Sequence, residues 1–284
     1  RINAAGRMKH GLHAVELLKE TDLEKAQEFA ASIENYNSDR RELDQSITQE
    51  AIQQIITNKE EDTFTSVVYD ESWHKGVIGI VASRLIEKYY RPTLVFTKSG
   101  DQLAASARSV KGFDVYNALE QCADYIEQFG GHMYAAGLTL LPENYEKFKA
   151  RFEEVVAATI EKQHLTPEVH IDSKLPLEHI TPKFYRILQQ MAPFGPGNMT
   201  PVFMTKNVVD TGYGKCVGKE EDHLKIKVAT KKKDSIAFNA IGFNMGNKYE
   251  HIADGKKFDI AYSIDENEWQ GSASLQLRLR DLNS

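Results

Sequence analysis

Cysteine and proline are scarce: the 284-residue chain has two Cys and eight Pro. Cys122 and Cys216 lie far apart and show no metal-ligand spacing. That excludes a zinc ribbon or a disulfide framework and fits a reduced, cytoplasmic protein. No apolar run approaches the ~20 residues a membrane helix needs, so no membrane partner is expected. Repeats and low-complexity tracts are missing. Positive charge is not in excess, with 35 Lys and Arg against 41 Asp and Glu, which makes a poor general binder of polyanions. An initiating Met is also missing. The chain opens at Arg1 inside what reads as a motif, so a fragment is expected. What remains is an ordinary globular composition, 41% hydrophobic and 27% charged, long enough for about two domains.

The charge is unevenly spread. Residues 1–170 hold 19 Lys and Arg against 27 Asp and Glu, and residues 171–284 hold 16 against 14. Within 201–233 there are eight Lys and four acids, including Lys231-Lys232-Lys233. Such a face can follow a phosphate backbone, or the lysine run can be a solvated hairpin tip.

Thr21-Asp22-Leu23-Glu24 reads as a capping box. Neither Pro nor Gly follows until beyond Lys59, and Leu23, Ala26, Ala30, Ile33, Leu43, Ile47, Ala51 and Ile55 recur mostly at helical steps. This predicts one helix of about 37 residues, roughly 55 Å long. The polar stretch 37–41 suggests that part of it crosses open space as a spacer. An α/β pattern follows: strands at 64–69, 92–97 and 102–108, helices at 77–90 and 114–128, a strand at 138–141 and a helix to about residue 163. Beyond Pro167 the pattern turns to β. A short helix is expected at 182–191 and strands at 201–211, 223–229, 236–243, 258–264 and 275–280, which suits a small barrel such as the OB-fold, with an open sandwich as the alternative.

Residues 130–137 read Gly-Gly-His-Met-Tyr-Ala-Ala-Gly. Glycines permit close approach to the backbone, free N–H groups suit an anion, and His132 adds a donor that can carry charge. Ser106 and Arg108 end a strand of small residues. Arg108 offers a planar fork for phosphate, and with Ser109 and Lys111 the pair reads as a pocket for the terminal phosphate or first nucleotides of a strand. The plainer reading is an arginine paired with a carboxylate. Ala104, Ala105 and Ala107 leave room for a strand, or pack a helix closely. Trp73 could stack a base or brace the core. His74 sits near a helix N-terminus, where a phosphate can bind. Arg1, Asn3 and Arg7 surround the small-residue turn Ala4-Ala5-Gly6, as phosphate grips or as a hinge that ties lobes together. Residues 194–198, Phe-Gly-Pro-Gly-Asn, read as a rigid turn. On the barrel, Phe203, Tyr213, Phe238, Phe243, Tyr262 and Trp269 include stacking candidates, and Lys225, Lys227 and Arg278 candidate backbone contacts.

Five stretches in order carry a family resemblance. They are Arg1-Ile-Asn-Ala-Ala-Gly-Arg7, Trp73-His-Lys-Gly-Val-Ile-Gly-Ile-Val-Ala-Ser83, Ser106-Ala-Arg-Ser-Val-Lys-Gly112, Phe129-Gly-Gly-His-Met-Tyr-Ala-Ala-Gly137 and Pro193-Phe-Gly-Pro-Gly-Asn198. Together they resemble the RecJ family of single-stranded-DNA-specific 5′→3′ exonucleases in the DHH phosphoesterase superfamily. The resemblance covers essentially the whole chain. It implies the end of a catalytic lobe and a linker helix at 1–60, a DHH-associated α/β domain at 61–166 and an OB-fold at 167–284. It also implies that Arg1, Asn3 and Arg7 lie close to the bound strand, and that His132 meets the scissile phosphate, with Gly130 and Gly131 beside it. The family's Asp-His-His signature occurs nowhere here; Asp222-His223 and His170-Ile-Asp172 are the nearest approximations, and each reads as a surface pair. Mn²⁺ or Mg²⁺ would therefore be held by a lobe outside this sequence, with no metal ligands in this chain and no cleavage by it alone. Single-stranded DNA is the implied partner, with single-strand-binding protein and a helicase as accessory partners, and a monomer as the implied state. A superfamily enzyme of short oligonucleotides or cyclic dinucleotides, and a non-catalytic interaction module, are the competing readings.

Overall fold

The computed structural model describes residues 1–231, 236–269 and 271–283, in two compact units, Arg1–Pro167 and Glu168–Ser284. The side chain of Trp269, and Lys232 and Lys233, fall outside the described residues.

The first unit opens with α1 (Ile2–Met8), α2 (Leu12–Lys19) and α3 (Leu23–Thr57). Ala4-Ala5-Gly6 is thus part of a helix and not a turn. Alanine favours helix, and fully buried Ala5 packs with Ala14 and Ile33. Asp22, not Thr21, caps α3: its Oδ1 accepts from the N–H groups of Glu24 (3.0 Å) and Lys25 (3.2 Å). Next come β1 (Ser66–Tyr69), α4 (Ile78–Tyr89), β2 (Thr93–Ser99), β3 (Gln102–Arg108), α5 (Val115–Glu120), β4 (Gln128–His132), β5 (Ala135–Leu140) and α6 (Tyr145–Thr159).

The helix expected at 114–128 ends at Glu120. A single 3₁₀ turn at Ala123–Tyr125 follows, and β4 takes the chain from Gln128. The strands form one sheet in the order β1-β2-β3-β5-β4, parallel only between β1 and β2. Alternate residues serve opposite layers. Val67, Leu94 and Phe96 join Phe148, Phe152 and Val156 of α6, whereas Val68 and Val95 join Ile47, Ala51 and Ile55 of α3 and Val81 and Leu85 of α4.

The polar stretch of α3 does not cross open space. Asn37 and Asp44 are 3% and 0% exposed. Arg40 donates to Asp44 (2.9 Å) and to Asn37 (3.1 Å), and Arg84 of α4 reaches the other Asp44 oxygen. This buried carboxylate ties α3 to α4, the helix that walls the site described below.

In the second unit, β6 (Ser173–Lys174) and α7 (Pro182–Gln189) precede β7 (Phe203–Asp210), β8 (Lys215–Val217), β9 (His223–Ala229), β10 (Ala237–Gly242), α8 (Tyr249–Ile252), β11 (Phe258–Trp269) and β12 (Ser272–Asn283). The ring runs β7-β11-β12-β10-β9 and returns to β7 through Val209–Ala229 and Asp210–Val228. That return pairing makes a near-closed barrel and excludes the open sandwich. A parallel β10–β12 pair sits among antiparallel neighbours, with α8 between β10 and β11, the connectivity of an OB-fold. β6, β8 and α8, of two to four residues each, are too short to show a period in the sequence. Leu224, Ile226 and Val228 of β9 point into the core, so Lys225 and Lys227 point out.

Candidate nucleic-acid interface

Each unit carries one candidate surface. In the first, register decides it. Arg108, Ala135 and His132 pair across β3, β5 and β4, and Ser106, Gly137 and Gly130 form the adjoining row. Residues paired across antiparallel strands share a face. This is the α4 face, because a Cβ at Gly79 in the first turn of α4 would lie 2.7 Å from Arg108 Nη2 and 3.0 Å from Ser106 Oγ. Gly79 therefore lets the helix start sit against the guanidinium. The result is a shelf: a nearly bare floor of Gly137, Gly130 and Ala135, a wall of Ser106, Arg108 and the α4 N-terminus, and exposed His132 at the far row.

The shelf is electropositive. Arg108 Nη1 donates to Ser106 Oγ (2.9 Å) and to the Ala107 carbonyl (2.7 Å), and among the described residues no carboxylate pairs with it. Its guanidinium is held below its ordinary pKa, first by burial and then by the positive charge of Arg7. Arg7 Nη1 in turn donates to the Gly76 carbonyl (3.2 Å), where a Cβ on Gly76 would lie 2.0 Å from Arg7 O. Two guanidiniums near a helix start whose Val77 cap has no side-chain bond have the charge and donors that suit an anion. His132 Nδ1 accepts from the Tyr134 N–H (3.3 Å), which leaves Nε2–H free to donate.

The two glycines of β4 have different physical reasons: Gly130 lies in the floor, whereas Gly131 is in register with Ala136 and Ala107 on the opposite face. Gly131 has φ +150°, and a Cβ there would lie 2.3 Å from Ala135 O. Gly131→Ala is therefore expected to loosen the β4–β5 hairpin and lower the melting temperature. A Cβ at Gly130 would meet nothing within 4 Å. Gly130→Leu is expected to leave melting unchanged while it blocks the shelf, which paired melting and DNA-titration curves would separate.

Other expected residues fall elsewhere. Trp73 is only 4% exposed and donates to Glu50 Oε2 (2.8 Å); a buried ring braces the domain and is closed to base stacking. Ser109 Oγ donates to the Phe113 carbonyl (2.8 Å), so its hydroxyl serves a turn. Arg1 pairs with Glu34 (3.1 Å) on the surface, and Asn3 is exposed on α1 with no side-chain partner among the described residues. His74 Nδ1 accepts from Gly76 N–H (3.1 Å) and shapes the turn before α4. Ala104, Ala105 and Ala107 are all buried against their neighbours. The role of Gly79 could have been suspected only from its glycine-rich stretch, since Arg108 lies far along the chain.

On the barrel, cross-strand register aligns Lys215, Lys225, Ile241 and Arg278, with Lys227, Asn239 and Gln276 in the next row. Among the described residues the ion pairs of this unit are His170–Asp172, Lys206–Asp259, His223–Asp222 and Lys248–Asp281. None involves Lys215, Lys225, Lys227 or Arg278. Phe203 and Tyr262 are core, whereas Tyr213 is 70% and Phe243 50% exposed. Each exposed ring lies near a cation, Lys227 Nζ 5.5 Å from Tyr213 and the Arg278 guanidinium 5.3 Å from Phe243. Two grooves that share Lys225 and Asn239 hold about 720 Å³ and 590 Å³, one beside Phe243 and the other beside Tyr213. Cations beside rings on a barrel face suit a single strand, whose bases can stack while its phosphates are neutralised.

Comparison with known proteins identifies both domains. Residues 60–158 match the DHHA1 domain family and residues 171–281 the RecJ OB domain family. The chain is the DHHA1–OB portion of a RecJ-family protein. It is 32% identical over 283 residues to the single-stranded-DNA-specific exonuclease RecJ of Bacillus subtilis, covering 99% of this chain and 35% of that protein. It is 30% identical over 286 residues to the RecJ of Haemophilus influenzae, covering 98% and 49%. The chain thus spans a third to a half of these relatives. The Mn²⁺ complex of Thermus thermophilus RecJ superposes with a TM-score of 0.81 at 26% identity, over 100% of this chain and 40% of that one. No Asp-His-His triplet occurs in the 284 residues. Among the described residues no group of three or more His, Cys, Asp or Glu could hold a metal ion. Nor is any described helix long and apolar enough to cross a membrane.

Proposed function

We propose that this chain is the strand-holding part of a single-stranded-DNA 5′→3′ exonuclease that acts in cytoplasmic DNA repair and recombination. One observation carries the reading: four cations with no carboxylate partner among the described residues share a barrel face with two exposed rings, in a chain of net charge −6. Lys215, Lys225, Lys227 and Arg278 neutralise phosphates while Tyr213 and Phe243 receive bases. On the DHHA1 shelf, Arg108, Ser106 and the α4 N-terminus take the 5′-terminal phosphate, with Arg7 as a second cation. Gly130 and Gly137 let the strand lie on the sheet, Gly131 shapes the β4–β5 hairpin, and His132 Nε2–H donates to the neighbouring phosphate. Such a donor stabilises charge that builds up on a phosphoryl oxygen. Bond cleavage belongs to Mn²⁺ or Mg²⁺ held outside these residues, so the chain alone is inactive. A barrel face of this extent suits a polymer better than a dinucleotide. Single-strand-binding protein and a helicase would supply the strand, and the chain works as a monomer.

Fluorescence anisotropy with a ~20-nucleotide strand tests this reading. The 5′-phosphorylated single strand is expected to bind tightest, the 5′-hydroxyl strand next and blunt duplex weakest. Equal binding of all three would remove both the shelf and the barrel from the account.

A further inference from the structure

The loop between β7 and β8 reads Asp210-Thr-Gly-Tyr-Gly-Lys215. Its shape is fixed by one carboxylate. Asp210 Oδ2 accepts from Gly212 N–H (2.9 Å) and Gly214 N–H (3.0 Å), and Oδ1 accepts from Lys227 N–H (3.1 Å). The two glycines are required for this. Gly212 has φ +100°, and a Cβ on Gly214 would lie 3.0 Å from both Asp210 Oδ2 and the Tyr249 ring. The loop thus has little freedom, yet it holds the Tyr213 ring 70% exposed. A tyrosine that served the core would be buried, and a tyrosine on a loose loop would not have both flanking glycines bonded to one carboxylate. One side group also fixes the ring relative to β9, because the Asp210 carboxylate grips both the loop and the Lys227 backbone, and Lys227 Nζ lies 5.5 Å from the ring.

Resting on the proposed strand-holding role, we infer that Tyr213 is a preformed stacking site for one unpaired nucleobase, and that Asp210 is its positioning residue. Phe243 is the weaker candidate, since the His223 ring meets it edge-on at 5.0 Å and Arg278 lies 5.3 Å away. Tyr213 has one cation neighbour and is otherwise open to solvent. Lys227 then meets the phosphate next to the stacked base. Preorganisation matters because ordering a loop on binding subtracts from affinity.

The test is a double-mutant cycle on the 284-residue chain, read with a single strand that carries 2-aminopurine, whose fluorescence falls on stacking. Tyr213→Ala is expected to weaken binding about tenfold and to abolish the fluorescence change, while Tyr213→Phe keeps both. Asp210→Ala should match Tyr213→Ala, and the double variant should be no worse than either. Gly212→Ala, which strains the loop at a positive φ and leaves the barrel strands alone, should weaken binding in the same sense if Asp210→Ala fails to fold. Wild-type binding by Tyr213→Ala would overturn the stacking site. A hundredfold loss in the double variant, or wild-type binding by a folded Asp210→Ala, would overturn the positioning role. If the wild-type chain binds no single strand, the parent reading falls and this inference with it.

Discussion

Arg108→Ala is expected to erase the preference of the chain for a 5′-phosphorylated strand, by about tenfold to a hundredfold. The magnitude follows from one or two charge-assisted hydrogen bonds to a terminal phosphate, worth roughly 1.5–3 kcal/mol each way of counting. Two features make the effect specific. Binding of the 5′-hydroxyl strand should not change, because the barrel cations are untouched. Stability should not fall either. Arg108 is partly buried, has no carboxylate partner among the described residues and feels Arg7 as a like charge, so the free protein gains nothing electrostatically from keeping it. Arg108→Lys should recover only part of the preference, since an ammonium cannot span two phosphate oxygens. Titration of both strands against the three proteins checks this; an undiminished phosphate preference in the alanine variant would contradict it.

Asp44→Ala is expected to give the largest loss of stability, about 3 kcal/mol. Asp44 is 0% exposed, between the side chains of Arg40 (18% exposed) and Arg84 (40%). Removing the carboxylate leaves two guanidiniums facing a void, which costs about 3–5 kcal/mol for a fully buried pair. The partial exposure of Arg84 argues for the lower end. For a unit of this size that is roughly 10 °C in melting temperature. Asp44→Asn, which keeps one acceptor, should lose less. Because α4 is tied to α3 through this carboxylate, the variant should also blunt the phosphate preference of the shelf. Chemical denaturation measures the stability term, and a change under about 1 kcal/mol would mean that solvent already satisfies the arginines.

Much of this was legible in the sequence. The strands at 102–108 and 223–229 appear with those bounds, because small residues in one and strict alternation in the other leave no competing period. The long helix is equally plain, since it contains neither Pro nor Gly. Its polar centre was misread because one sequence cannot show that Arg84, on another helix, arrives to satisfy Asp44. The helix at 114–128 was overextended for a related reason. Val115, Leu119, Cys122 and Ile126 keep a helical period, but residues from Gln128 onward pair with β5, and that long-range gain prevails. Trp73 was ambiguous until Glu50, from α3, proved to hold its indole. For the barrel aromatics, exposure follows position. Tyr262 alternates inward on β11, Phe243 lies just past the end of β10, and Tyr213 sits on a loop. The shelf itself was half visible: Ser106, Arg108 and the glycine run stand out, but only register shows that they share one face, and only Gly79 reveals which face it is.

If the barrel face holds single-stranded DNA through cations that have no carboxylate partner among the described residues, the salt dependence of binding shows it most directly. For the unaltered chain with a ~20-nucleotide strand, log K against log salt should fall with a slope of about −3, near −0.7 for each of four neutralised phosphates. Changing Lys215, Lys225, Lys227 and Arg278 together to glutamine should flatten most of that slope while the barrel stays folded. An unchanged slope in the quadruple variant, or binding that ignores salt from the start, would contradict the account.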